Sequence, residues 1–201
     1  MLWEYVPDKA IISYLNMKKF VLAGALALLS IVGVQAQTTI GIKGGLNVAT
    51  VRIPGTHVDP LVGFHAGLFA STPISSKFAL QPEILYSKQG VETRDYIDRY
   101  HYLNIPLIFK GTLTGGLHAQ FGPQFGILLA ADRQEGRYSQ DITDKLNRYD
   151  GALALGLGYD VGSWQVSARY NVGLSDTRDE HMKGVNYANN VFQLSLGYKI
   201  R

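Results

Sequence analysis

Phe192-Gln193-Leu194-Ser195-Leu196-Gly197-Tyr198-Lys199-Ile200 decides how the rest of this chain is read. Its apolar members, Phe192, Leu194, Leu196, Tyr198 and Ile200, occupy every second position. Gln193, Ser195, Gly197 and Lys199 fill the places between. A period of two is the spacing of a β-strand with one greasy face and one polar face. Working backwards, Trp164, Val166, Ala168, Tyr170, Val172 and Leu174 alternate with Gln165, Ser167, Arg169, Asn171 and Gly173. Residues 151–159 and 117–129 repeat the pattern, and 38–50, 61–71, 77–88 and 101–111 show weaker versions of it. The reading is therefore eight strands, each long enough to cross a bilayer at a tilt.

The intervals between these strands alternate in length. Residues 51–60, 89–100, 131–150 and 175–190 are long and read as loops, whereas 72–76, 112–116 and 160–163 are short. Outer-membrane barrels have longer extracellular loops and short periplasmic turns. Charge follows the same division. Acids and bases crowd the long intervals, while charges within the strands are few: Lys43, Glu83, Lys110, Arg169 and Lys199 each sit on the face opposite the apolar set, and Lys77 and Lys88 stand at the two ends of their segment. A charge turned to lipid at the bilayer midplane would cost about 2–4 kcal/mol.

Composition agrees. Charged residues are only 17% of the chain and glycine reaches 22 residues, which suits short strands and tight turns better than helices. There is no cysteine, so disulfides, thiolate metal sites and a lipidated cysteine are excluded. The net charge of +3 is spread among acids, with no basic face for nucleic acid.

Met17-Lys18-Lys19, an apolar run from Phe20 to Val34, and Val34-Gln35-Ala36 form a secretory signal, with cleavage expected after Ala36. Residues 1–16 precede it and read as a mis-assigned start or a leader extension. Residues 37–201 then form the mature domain.

A soluble barrel and a membrane barrel alternate with opposite polarity, so period alone leaves two readings. The export signal, the small polar second face and the aromatics near strand ends (Tyr86, Tyr102, Phe109, Tyr159, Trp164, Tyr170, Tyr198) favour the membrane. The alternative is a soluble periplasmic lipocalin-like carrier of a small apolar ligand. The fold expected is all-β: a single antiparallel up-and-down transmembrane β-barrel of eight strands.

The stretch Arg99-Tyr100-His101-Tyr102-Leu103-Asn104-Ile105-Pro106-Leu107-Ile108-Phe109-Lys110 resembles the core motif of the PorT-like outer-membrane β-barrel family, also called outer membrane protein β-barrel domain or porin family protein. Gly41-Ile42-Lys43-Gly44-Gly45-Leu46-Asn47 and Leu194-Ser195-Leu196-Gly197-Tyr198-Lys199-Ile200 are similar as well. The resemblance implies an eight-stranded outer-membrane barrel, some of whose relatives serve secretion or assembly of surface proteins, and no catalytic residues. In one departure the chain ends Ile200-Arg201, where barrels often present an aromatic to the assembly machinery; Tyr198 is the substitute.

Lys43, Glu83, Lys110, Arg169 and Lys199 should face the lumen as an ion-pair network, because an eight-stranded barrel has room for side chains or one small ligand and buried charges need partners. Little or no open pore follows. Arg94, Tyr96, Arg99 and Tyr100 in one long interval, with Arg137, Tyr138, Arg148 and Tyr149 in another, mix the residue types favoured as interface anchors. They are the candidate surface for a protein or glycan partner. Mid-strand Pro106 and Pro123 read as bulges. No histidine shows metal-ligand spacing. His57 with Asp59 and His181 with Asp179 could mimic a rim-active hydrolase, but no nucleophile is positioned by sequence, so no enzyme and no cofactor are expected. The expected partners are outer-membrane lipid, lipopolysaccharide and the barrel-assembly machinery, for a monomeric chain.

Overall fold

A computed structural model of the chain describes residues 38–51, 59–174 and 189–200. The signal segment, His57, His181 and Asp179 lie outside the described residues. Nine strands are described: β1 Thr39–Val51, β2 Asp59–Pro73, β3 Phe78–Glu92, β4 Ile97–Thr114, β5 Leu117–Glu135, β6 Tyr138–Asp141, β7 Tyr149–Val161, β8 Trp164–Gly173 and β9 Asn189–Lys199. A 3₁₀ turn, Thr143–Lys145, follows β6. Eight of the strands form a ring. Sequence neighbours pair antiparallel, β5 pairs with β7 past the short β6, and β1 meets β9 from Gly41↔Lys199 to Val51↔Asn189. Closure removes every unpaired edge at membrane depth, which the absence of water there demands.

The faces are those of a membrane barrel. Leu155, Tyr170 and Leu196 are 48%, 44% and 50% exposed on the outer wall, whereas Gln165 and Gln193 are closed in at 0% and 1%. A soluble lipocalin-like barrel would show the opposite polarity, so the carrier reading is set aside. Trp164 and Tyr198 meet edge to face at 4.9 Å on the short-turn end, and Phe125 stacks on Tyr149 at 5.8 Å on the other half of the wall. Tyr102 does not join this band. It shares its strand face with Asn104 and Lys110, so the period-two pleat turns it inward, where it is 2% exposed. Leu80 is also covered, opposite Phe109 in the ladder.

Two intervals read as long loops are mostly strand. β3 continues to Glu92 and β4 begins at Ile97, leaving a turn closed by Thr93 N–H to the Tyr96 carbonyl at 2.9 Å. β5 continues to Glu135 and folds back through Gly136 into β6. With 18 and 19 residues, β4 and β5 exceed the roughly 9–11 needed to cross the bilayer. Their surplus rises above the ring as a crown of paired strands. The alternating signal fades there because charged and polar residues take the outer positions: Arg99, Asp132 and Gln134 are only partly covered, whereas Val91, Asp98 and Ala131 are buried.

At the opposite end, β4 and β5 join through Gly115-Gly116, both at positive φ (53° and 91°), the conformation of a two-residue hairpin turn matched to strand twist. The prolines do not make bulges. Pro106↔Gln124 and Phe109↔Phe121 keep one register across both Pro106 and Pro123, and the register shifts lie at His101/Tyr102 and Thr112/Thr114 instead.

Candidate functional site

The lumen is filled from its short-turn half upward. Glu83 on β3 receives Lys43 Nζ at 2.6 Å, Gln81 Nε2 at 2.7 Å and two Arg169 guanidinium nitrogens at 3.0 Å each. Arg169 gives two further hydrogens, from Nη2 and Nε, to Gln120 Oε1 at 2.8 and 3.2 Å. Two cations and a carboxamide around one carboxylate satisfy it by charge-assisted bonds, which makes burial of the group tolerable. Lower down, Asp160 at the end of β7 takes Lys110 at 2.9 Å and Lys199 at 3.3 Å. The five charges read from sequence thus form two clusters rather than one. Gln81 and Gln165 link them, at 3.2 Å to each other and through Gln165 to Asp160 at 3.0 Å. Sequence reading missed Asp160, because it sits at a short turn where a lone acid looks solvated.

Above these clusters the interior changes to carboxamides and hydroxyls. Asn47 donates to Ser87 at 2.9 Å and to the Phe64 and Lys88 carbonyls at 3.1 Å each. Its oxygen accepts from Gln193 at 3.0 Å and faces His65 Nδ1 at 2.8 Å. His65 Nε2 faces Ser195 Oγ at 2.9 Å. Hydroxyl, imidazole and amide stand in the order of a nucleophile, a base and its orienting group. However, Ser195, His65 and Asn47 are 8%, 1% and 0% exposed, and both neighbouring strands pair across Ser195, leaving no place for a carbonyl substrate at the hydroxyl. The trio is lumen packing. Above it, Tyr102, Leu128, Ala131 and Ile142 form an apolar plug, with Tyr100 and Leu146 against it.

The crown is stiffened by its own charges. Arg133 grips Asp98 with Nε at 2.7 Å and Nη2 at 2.8 Å and lies over the Tyr96 ring at 3.9 Å. Hydrogen bonding to Asp98 raises the proton affinity of that guanidinium above its ordinary value. Arg99 reaches Gln134 at 2.8 Å and Asp132 at 3.5 Å. Tyr100 hydroxyl reaches Asp98 at 3.3 Å. Of the eight surface candidates, Tyr96, Arg99 and Tyr100 are therefore engaged within the crown. Tyr149 belongs to the aromatic wall. Arg94, Arg137, Tyr138 and Arg148 stand exposed, Arg94 at one hairpin tip, Arg137 and Tyr138 at the other. The pairing of Asp98 with Arg133 left no mark in the sequence, since the two belong to different strands.

Comparison with known proteins places this geometry. The family described as outer membrane protein beta-barrel domain matches residues 35–179. This chain belongs to that family. Like other solved outer-membrane barrels, it is similar to Neisserial surface protein A, at 10% identity and a TM-score of 0.54 over 81% of this chain and 97% of that one. It is also similar to Ail, the attachment invasion locus protein of Yersinia pestis, at 15% identity and a TM-score of 0.50 over 81% and 98% of the two chains. No curated protein matches. Membership of the outer membrane protein beta-barrel domain family sets the chain in the outer membrane, with short turns toward the periplasm and the crown outside.

Proposed function

We propose that this barrel conducts no solute and acts through its crown, recognising a protein or glycan partner in an adhesive or surface-protein assembly role. The observation that carries this is the contrast between the two parts. The lumen is packed with polar side chains, most of them bonded to one another, whereas the crown spends its ion pairs on rigidity and, among the described residues, leaves Arg94, Arg137, Tyr138 and Arg148 free of them. A preorganised surface binds more tightly because less ordering is lost on contact. The PorT-like motif around Arg99–Lys110 supports a place among relatives that serve surface-protein assembly. The chain acts as a monomer surrounded by lipid and lipopolysaccharide, is placed by the assembly machinery, performs no catalysis, and loses its leader after Ala36.

Purified barrel in nanodiscs is tested against arrays of surface proteins and anionic glycans. Replacing Arg94, Arg137, Tyr138 and Arg148 together with Ala should lower binding at least tenfold while the heat-dependent gel shift stays as in the parent. Equal binding by the parent and the fourfold variant would overturn the proposal.

A further inference from the structure

The lower lumen is not electrically balanced. Among its described side chains, Lys43 and Arg169 face one carboxylate, Glu83, and Lys110 and Lys199 face another, Asp160. Each cluster keeps one surplus positive charge. Lys110 is nearly buried and Lys199 and Asp160 are about a quarter exposed, so the lower surplus is only partly screened by water and draws an anion to the mouth. The lower cluster borders a cleft of about 280 Å³ at the periplasmic mouth. Lys110, Lys199, His118 and the Asp160 carboxylate line it from the barrel, Lys77, Ser75 and Ser76 from the β2–β3 turn. Asp160 leaves donors unused. Its Oδ2 takes one hydrogen from each of Lys110 and Lys199, and each ammonium carries three. Ser75 Oγ accepts the backbone N–H groups of Lys77 at 3.3 Å and Phe78 at 3.1 Å, which leaves its hydroxyl hydrogen to donate. His118 adds no charge here. Its Nε2 stands 2.8 Å from the Gln120 amide nitrogen and accepts from it, and its Nδ1 donates to the Gly116 carbonyl at 3.2 Å, the pattern of a neutral ring.

We infer that this periplasmic mouth binds an oxyanion, a phosphate or carboxylate group carried by a lipid headgroup or a soluble periplasmic molecule, between Lys110, Lys199 and the Ser75 turn. Ammonium groups suit it as mobile point charges. This site stands at the opposite end of the barrel from the crown and does not depend on the crown's partner.

The test is a titration of the full barrel in nanodiscs of zwitterionic lipid with inorganic phosphate, followed by amide resonances of Ser75, Lys77, Lys110 and Gly116. Saturable shifts are expected with phosphate and not with chloride at equal ionic strength. Lys199→Gln should weaken binding about tenfold. Lys77→Gln, outside the buried pairs, should weaken it about twofold while leaving the fold intact. Asp160→Asn should strengthen it by freeing both ammonium groups. Nanodiscs containing phosphatidylglycerol identify the source: shifts without added phosphate assign the oxyanion to a lipid headgroup, and shifts only on addition assign it to a soluble molecule. Identical responses to chloride and phosphate, or phosphate affinity unchanged in both lysine variants, would overturn the inference.

Discussion

Glu83 is the residue on which the lower lumen turns. Two cations and Gln81 converge on it. Glu83→Ala would leave Lys43 and Arg169 facing each other with no anion between them. Losing one member of a buried ion group costs about 3–5 kcal/mol. The variant's urea unfolding midpoint in micelles should fall accordingly. A midpoint within error of the parent would show that the lumen rehydrates freely. Gly122 matters for a different reason. A Cβ built there would lie 1.9 Å from the Leu107 carbonyl oxygen, and that obstacle is backbone of the neighbouring strand. Gly122→Val should therefore abolish the folded, heat-shifting band, whereas Gly111→Ala, whose Cβ meets the Phe78 ring at 3.5 Å, should keep it. Glycine at 122 was visible in the sequence as a small residue on the polar face. That it touches the next strand was not, because strand register is a property of two segments.

At the scale of elements, the crown and the ring are separable. β6 pairs with β5 alone, from Glu135↔Tyr138 to Asp132↔Asp141, and the ring closes without it. Ile142 ties this element to the plug. Ile142→Asp would place a charge among Tyr102, Leu128 and Ala131, and leaving it unpaired there costs a few kcal/mol. Amide exchange should accelerate across 138–146 and stay slow in β7–β9; acceleration throughout would mean that the crown is part of the ring's cooperative unit. The turn after β6 also responds to acid. Hydrogen bonds from Thr143, side chain and then backbone, hold the Asp141 carboxyl below its ordinary value, with Thr143 N–H at 2.8 Å. A depressed carboxyl contributes its contact above the ordinary value of about 4 and loses it as pH falls through the lowered one. The Thr143 amide resonance should therefore hold steady from neutral pH and move only in stronger acid. A shift already complete near pH 5 would contradict this. β6 could not be read from the sequence, since a four-residue strand exposed on both sides has no apolar period to betray it.

For the whole molecule, the decisive property is which face meets lipid. Spin labels at Leu155, Tyr170 and Leu196 should collide with lipid-soluble oxygen, and labels at Gln165 and Gln193 should not; the reverse pattern would restore the soluble-carrier reading. Planar bilayers holding the parent barrel should show no steady conductance, because the Glu83 and Asp160 clusters, the carboxamide layer and the apolar plug succeed one another along the axis. Stable single-channel steps would show a path past them. The sequence by itself determined the eight ring strands and the apolar stripe of each, and the closed ring showed that stripe on the outer wall. Each strand repeats the same local rule: apolar side chains at every second position, over the thickness of a hydrocarbon layer. Only the tertiary structure decided which charges share a partner, where the ring ends and the crown begins, and that Asp160 rather than Glu83 holds Lys110 and Lys199. Those contacts join residues as distant as Glu83 and Arg169, 86 positions apart, and a period carries no information about which strands will meet around a closed ring.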